Sequence, residues 1–120
     1  MRTRSELWVK AFIRAAQSRG DFAAVVHRGD DDRGVIYVKL NRLDGTATLY
    51  GPAPPSLDAP AEAGDGERRF VRLHGPEALP ERDIDQLATR ERGFDGDVWI
   101  VETESREGRH GLDDWLATPA

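Results

Sequence analysis

His27, His74 and His110 are the first residues to test for chemistry. No two of them stand three to five positions apart, the spacing that lets two imidazoles share a helical metal site. The chain has no cysteine, which removes disulfides, thiolate ligands and thiol nucleophiles. Glu102 and Glu104 alternate along an extended run and therefore share one strand face, an arrangement that suits acid–base or metal chemistry. They stand where that run leaves its apolar stretch, however, and pairing with Arg106 or Arg109 is the expected role. Asp30-Asp31-Asp32 lacks the alternating ligands and closing glutamate of a calcium loop, and with Arg28-Gly29-Asp30 it reads as one solvated turn. No nucleophile elbow, G-x-G-x-x-G or phosphate loop is present. The expectation is no catalytic residue, no metal and no cofactor.

A binding surface is the remaining kind of site. Residues 35–54, VIYVKLNRLDGTATLYGPAP, hold two runs of β-branched and aromatic residues around Asp44-Gly45, the dipeptide suited to a two-residue type I′ turn. With that turn Leu43 pairs with Thr46, Asn41 with Thr48, Lys39 with Tyr50 and Leu40 with Leu49. Ile36, Val38, Leu40 and Leu49 then form an apolar face, while Tyr37, Lys39, Asn41, Thr48 and Tyr50 form a polar-aromatic one. The second face is the first candidate for a partner or a second copy of the chain. A rival site joins it to Glu102, Arg106 and His110 as a pocket for an unknown small ligand or substrate, and requires all of them on one side of the sheet. A third uses Arg68, Arg69 and Arg72 toward nucleic acid, against an overall formal charge of −5; a charged, solvated edge strand is the expected role there.

These residues need elements to hold them. Thr3-Arg4-Ser5-Glu6 fits a capping box, so a helix is expected from there to Gly20, with Leu7, Trp8, Ala11, Phe12, Ala15 and Ala16 as its apolar stripe. Residues 22–27 read as a strand apolar on both faces, and residues 67–74, which alternate, as a fourth strand after the hairpin. Between them, residues 52–66 are almost wholly Pro, Ala, Gly and acidic, and a mobile loop is expected. Pro80 suits a first helical position, with Ile84, Leu87 and Ala88 as the stripe, Gly93 as a left-handed cap and Phe94 folding back onto the helix. Val98-Trp99-Ile100-Val101 is apolar throughout, as an interior strand requires, and Leu112 and Trp115 are expected to tuck the tail onto the core.

The predicted fold is α+β in the order α-β-β-β-β-α-β: an antiparallel sheet of about five strands, the first three a meander, with both helices on the face of Ile36, Val38, Leu40 and Leu49. One domain over residues 1–120 is expected, since 120 residues bury one core without a staple. Glu6, Lys10 and Arg14 interrupt any apolar leader, so neither a signal peptide nor a membrane span is read, and a cytoplasmic location is expected.

Three segments carry a resemblance: Leu7-Trp8-Val9; Val38-Lys39-Leu40-Asn41-Arg42-Leu43-Asp44-Gly45 with Leu49-Tyr50-Gly51-Pro52-Ala53-Pro54; and Arg90-Glu91-Arg92 with Phe94-Asp95, Trp99-Ile100-Val101-Glu102 and Arg106-Glu107-Gly108-Arg109-His110. In these the chain resembles the bacterial family of domain of unknown function 1491, departing from its pattern at Gly96, where proline is expected, and in the proline-rich insert. The resemblance implies no activity. The sequence therefore points to an uncharacterised, non-enzymatic binding or self-associating domain that uses the polar-aromatic face.

Overall fold

The computed structural model describes residues 3–54 and 68–117. Most of the expected mobile loop, from residue 55 to 66, lies outside the described residues. Helix α1 (Ser5–Ser18) is followed by strands β1 (Phe22–His27), β2 (Ile36–Asn41), β3 (Thr46–Pro52), β4 (Phe70–Arg72) and β5 (Leu79–Pro80), helix α2 (Glu81–Phe94), strand β6 (Trp99–Glu104) and a 3₁₀ turn (Asp113–Trp115). The α+β class and the element order are as expected, but the sheet has six strands, in the order β1-β6-β2-β3-β4 with β5 also on β3.

Two features of that order correct the sequence reading. The first three strands do not form a meander, because β6 lies between β1 and β2, antiparallel to the first and parallel to the second. Trp99, Ile100 and Val101 are buried on both faces, so the interior position expected for this run is observed. The apolar run needs cover on both sides, and only a site inside the sheet supplies it. The second correction concerns the helices, which take opposite faces. Trp8, Val9 and Phe12 of α1 pack with Ile36, Val38, Leu40 and Val101, whereas Ile84 and Ala88 of α2 pack with Tyr37, Leu49 and Ile100.

The hairpin forms one residue out of the expected register: Val38 faces Tyr50, Lys39 faces Leu49, Leu40 faces Thr48 and Asn41 faces Ala47. The loop side chains explain the slip. Asn41 Oδ1 accepts the Leu43 N–H at 2.8 Å, and Asp44 Oδ1 accepts the Thr46 N–H at 2.9 Å and its hydroxyl at 2.6 Å. These side-chain turns enlarge the loop, with Leu43 and Gly45 the residues at positive φ. A one-residue slip moves every side chain of a strand to the other face. Leu49 thus joins the α2 side, and Thr48 and Tyr50 join the α1 side.

The segment between β1 and β2 is more than a solvated turn. The carbonyls of Asp31 and Asp32 accept the N–H groups of Glu6 (2.9 Å) and Ser5 (3.2 Å), and the Ser5 hydroxyl donates to Gly34 O at 2.6 Å. They replace the expected capping box: Arg4 is the cap residue and no side chain caps the helix. The same turn receives the Trp99 indole N–H on Asp30 O at 2.7 Å, and the Asp30 N–H donates to Asp97 O at 2.9 Å. One short segment therefore registers α1 against β6.

Other helix details divide. Gly20 at φ 84 follows α1 as expected, yet Leu7 on the expected stripe is exposed. In α2 the stripe of Ile84 and Ala88 is buried, but Gly93 is helical, not a left-handed cap, and Phe94 points to solvent. Among the described residues no helix is long and apolar enough to cross a membrane.

The close approach at Gly34 generates a test. A Cβ there would lie 2.5 Å from Asp97 O and 2.8 Å from both Asp30 O and the Trp99 ring, while one at Gly96 meets nothing within 4 Å. Gly34→Ala should lower unfolding stability by about 1–3 kcal/mol in urea, and Gly96→Ala by no more than about 0.5 kcal/mol. Equal effects would show that the turn does not hold α1 and β6 together.

Candidate functional site

The shifted register decides the fate of the expected binding face. Tyr37, Lys39 and Asn41 lie under α2, Thr48 and Tyr50 lie under α1, and all five are buried. They form no common surface. Tyr37, Lys39, Asn41 and Tyr50 have instead found internal partners.

On the α2 side the central group is Lys39, 5% exposed on an interior strand. Its ammonium donates to Glu81 Oε2 and Asp85 Oδ1, each at 2.7 Å, and lies 3.5 Å from Glu102 Oε1. Asn41 Nδ2 donates to Glu81 at 3.3 Å and Glu102 at 3.2 Å, and the Tyr37 hydroxyl donates to Glu91 at 2.8 Å. Burial opposes a charge on Lys39, but its hydrogen bonds to Asp85 and Glu81 outweigh it, and its pKa is pushed up to about 12. Burial, then the Glu91 carboxylate, push the Tyr37 phenol above its ordinary value. An amine held protonated in this way ties helix to sheet and has no free pair with which to attack a carbonyl. Lys39 also fills the centre of its three carboxylates. Among the described residues no group of three or more His, Asp or Glu is arranged to hold a metal ion.

The rival pocket does not assemble. Glu102 faces Lys39 on the α2 side, while His110 sits edge-on to Tyr50 on the α1 side with ring centroids 5.2 Å apart, and Arg106 is exposed. Arg109 does not pair with Glu102 or Glu104. It clasps the buried Asp21 with Nε at 3.1 Å and Nη2 at 2.5 Å, and reaches Glu107 at 2.7 Å. The Arg109 hydrogen bonds hold the Asp21 carboxyl below its usual range despite its burial.

The arginines of the third reading also serve the fold. Arg68 is buried and donates to Thr3 O at 2.7 Å and Ser5 Oγ at 3.0 Å. Arg69 donates to Arg68 O, and Arg72 donates to Pro76 O and lies over the Tyr50 ring at 5.9 Å.

What the sequence reading missed lies at the sheet's edges. At one edge the tail covers β4: Leu116 bridges Phe70, and the Ala117 N–H donates to Phe70 O at 2.9 Å. At the other, β1 pairs only with β6, and no other backbone partner reaches its outer side among the described residues. Phe22, Val25 and Val26 are 57%, 41% and 56% exposed there. The signal was present in FAAVVH, which has no charge to guard an edge, but an apolar run reads equally well as core.

A family model described as protein of unknown function (DUF1491) matches residues 3–113. Among solved structures, a crystal structure of a DUF1491 family protein from Caulobacter crescentus is 38% identical, covers 92% of this chain and 95% of its own, and superposes with a TM-score of 0.74. A solution structure of an A. tumefaciens protein is also 38% identical, over 100% of this chain and 98% of that one, at a TM-score of 0.79. An NMR structure of a C. crescentus DUF1491 protein is 36% identical over 98% and 99%, at 0.76. No curated protein matches the chain.

Lys39→Met keeps the aliphatic volume and leaves three carboxylates crowded together. It should cost about 2 kcal/mol in urea unfolding at neutral pH. The loss should shrink once acid protonates the carboxylates. A cost unchanged by acid would mean that packing, and not the ion cluster, is what Lys39 supplies.

Proposed function

Because the chain belongs to the DUF1491 family, whose description assigns no activity, we propose from its own geometry that it is a non-catalytic, self-associating domain whose contact is the outer edge of β1. The expected polar-aromatic face is enclosed, so the self-association expected from the sequence moves to this strand. One observation carries the reading: β1 offers an unpaired backbone edge and three exposed apolar side chains, whereas the opposite edge of the sheet is covered by the chain's own tail.

The occupant is a second copy. An antiparallel pair about a two-fold axis at Ala24 sets Ala23 opposite Val25 of the second copy and Phe22 opposite Val26. The paired positions respect the alternation of faces, since Phe22 and Ala24 share the face of Glu102 and Glu104 while Ala23 and Val25 share that of Val101. A small side chain meets a larger one at Ala23 and Val25, the axis falls on alanine, and no like charges meet along the six residues. The main-chain hydrogen bonds of strand addition supply the affinity. The register break between Val25 and His27 limits the contact to one short strand, which favours a closed pair over an open chain of copies.

In sedimentation equilibrium the wild-type mass should rise with concentration from the 13.4 kDa monomer toward twice that value. Val26→Lys places a charge on an already exposed edge position, so it should hold the chain at 13.4 kDa with an unchanged melting temperature. A wild-type monomer at every concentration, or association surviving Val26→Lys, overturns the proposal.

A further inference from the structure

We infer that the C-terminal segment, residues 110–117, is a latch over the β4 edge that acid releases through His110. This inference concerns the opposite edge of the sheet and does not rest on the β1 contact. The latch has three attachments. Leu112 is fully buried among the residues that pack under α1, Trp115 meets Trp8 edge to face with centroids 5.6 Å apart, and Leu116 bridges to Phe70 while the Ala117 N–H donates to Phe70 O, which covers the edge at that residue.

The segment turns into this path through a single imidazole. His110 Nδ1 accepts the Leu112 N–H at 2.9 Å, so that nitrogen must carry a lone pair and the ring must be neutral. The titratable and charged groups around the ring come from four places: Tyr50 from β3, Arg72 from β4, Arg19 from just past the end of α1 and Asp113 from the segment itself. Two of them are cations and one is an anion. A proton on His110 breaks the bond to Leu112 and adds a third positive charge between Arg72 and Arg19, opposed by Asp113 alone.

Burial already holds His110 below its ordinary value, and Arg72 and Arg19 act in the same direction. The folded value is thus lower than the unfolded one. The stabilisation is complete above the ordinary histidine value of 6.5 and is lost as the pH falls through the folded value. His74, two residues beyond Arg72 at the same end of β4, is built on the same rule. Its Nε2 accepts the Leu49 N–H at 3.0 Å, and burial, then Arg72, lower its pKa. Both neutral imidazoles thus lie near Arg72, at one end of β4, while the latch meets Phe70 at the other; its release exposes Phe70, Trp8 and the outer backbone of β4.

Amide hydrogen exchange on the full chain, followed residue by residue at about pH 7.5 and about pH 5, tests the latch. Protection of Leu112 and Ala117 should fall at least about tenfold relative to Val101 in β6, which remains protected. His110→Asn offers a side-chain oxygen that accepts the same N–H and does not titrate, so it should keep Leu112 and Ala117 protected at the lower pH. His74→Gln should leave the fall in place. A constant ratio of protection across the two pH values, an equal fall in His110→Asn, or Val101 losing protection in step with the tail each overturns the inference.

Discussion

The insertion of β6 between β1 and β2 is the constraint on which the rest of the structure depends. Trp99, Ile100 and Val101 are buried: β1 and β2 close the two edges of β6, and the cores under α1 and α2 cover its two faces. The residues before β2 prepare the place. Gly29 and Gly34 allow backbone against Asp97 and Val98, and Trp99 donates to Asp30 O. A chain that fills the middle of its sheet last leaves its first strand outside, so the exposed edge of β1 follows from the position of β6.

The second organising feature is how a polar face is kept inside. Lys39, Tyr37 and Asn41 point away from α1, and α2 covers them with Glu81, Asp85 and Glu91 directed at the sheet. Burying a charge is costly unless it is paired and hydrogen-bonded, and Lys39 meets that condition with carboxylates on two elements. The cluster fixes where α2 lies along β2 and β3 without needing a broad apolar stripe, which α2 lacks. The most chemically suggestive residues of the chain are thereby committed to holding it together.

The sequence was legible where local chemistry decides the outcome. The acidic first turn of α2, Gly20 at positive φ, the existence of the 36–52 hairpin and the interior strand at Trp99 are each set within a few residues, whereas Pro80, expected as the first helical residue, precedes the helix as its cap and belongs to β5. The family resemblance likewise held, over residues 3–113. The hairpin register was not legible, because Asn41 and Asp44 compete with the type I′ turn through their own side-chain hydrogen bonds, and one residue of slip reassigned Leu49, Thr48 and Tyr50. Nor was the second helix's face, because polarity was read as exposure while the covering acids lay 40 to 54 residues away. The run of β1 was legible as a strand apolar on both faces, but its place at an open edge was not, since nothing within FAAVVH says that β6 will take only one of its edges.

The two edges of the sheet are consequently unlike. At the β4 edge the chain covers its own backbone at Phe70, and at the β1 edge it presents six residues in extended form with no Asp, Glu, Lys or Arg among them. Because the protein has no cysteine, a single Ala24→Cys substitution reads this difference directly. Antiparallel strands about a two-fold axis at residue 24 bring the two Cα atoms to roughly 4.5–5.5 Å, within disulfide range. Mild oxidation of Ala24→Cys should yield a covalent dimer in high proportion, while Leu73→Cys beside the β4 edge, oxidised in parallel, should remain monomeric. A monomer from Ala24→Cys, or equal crosslinking at both positions, would contradict the account.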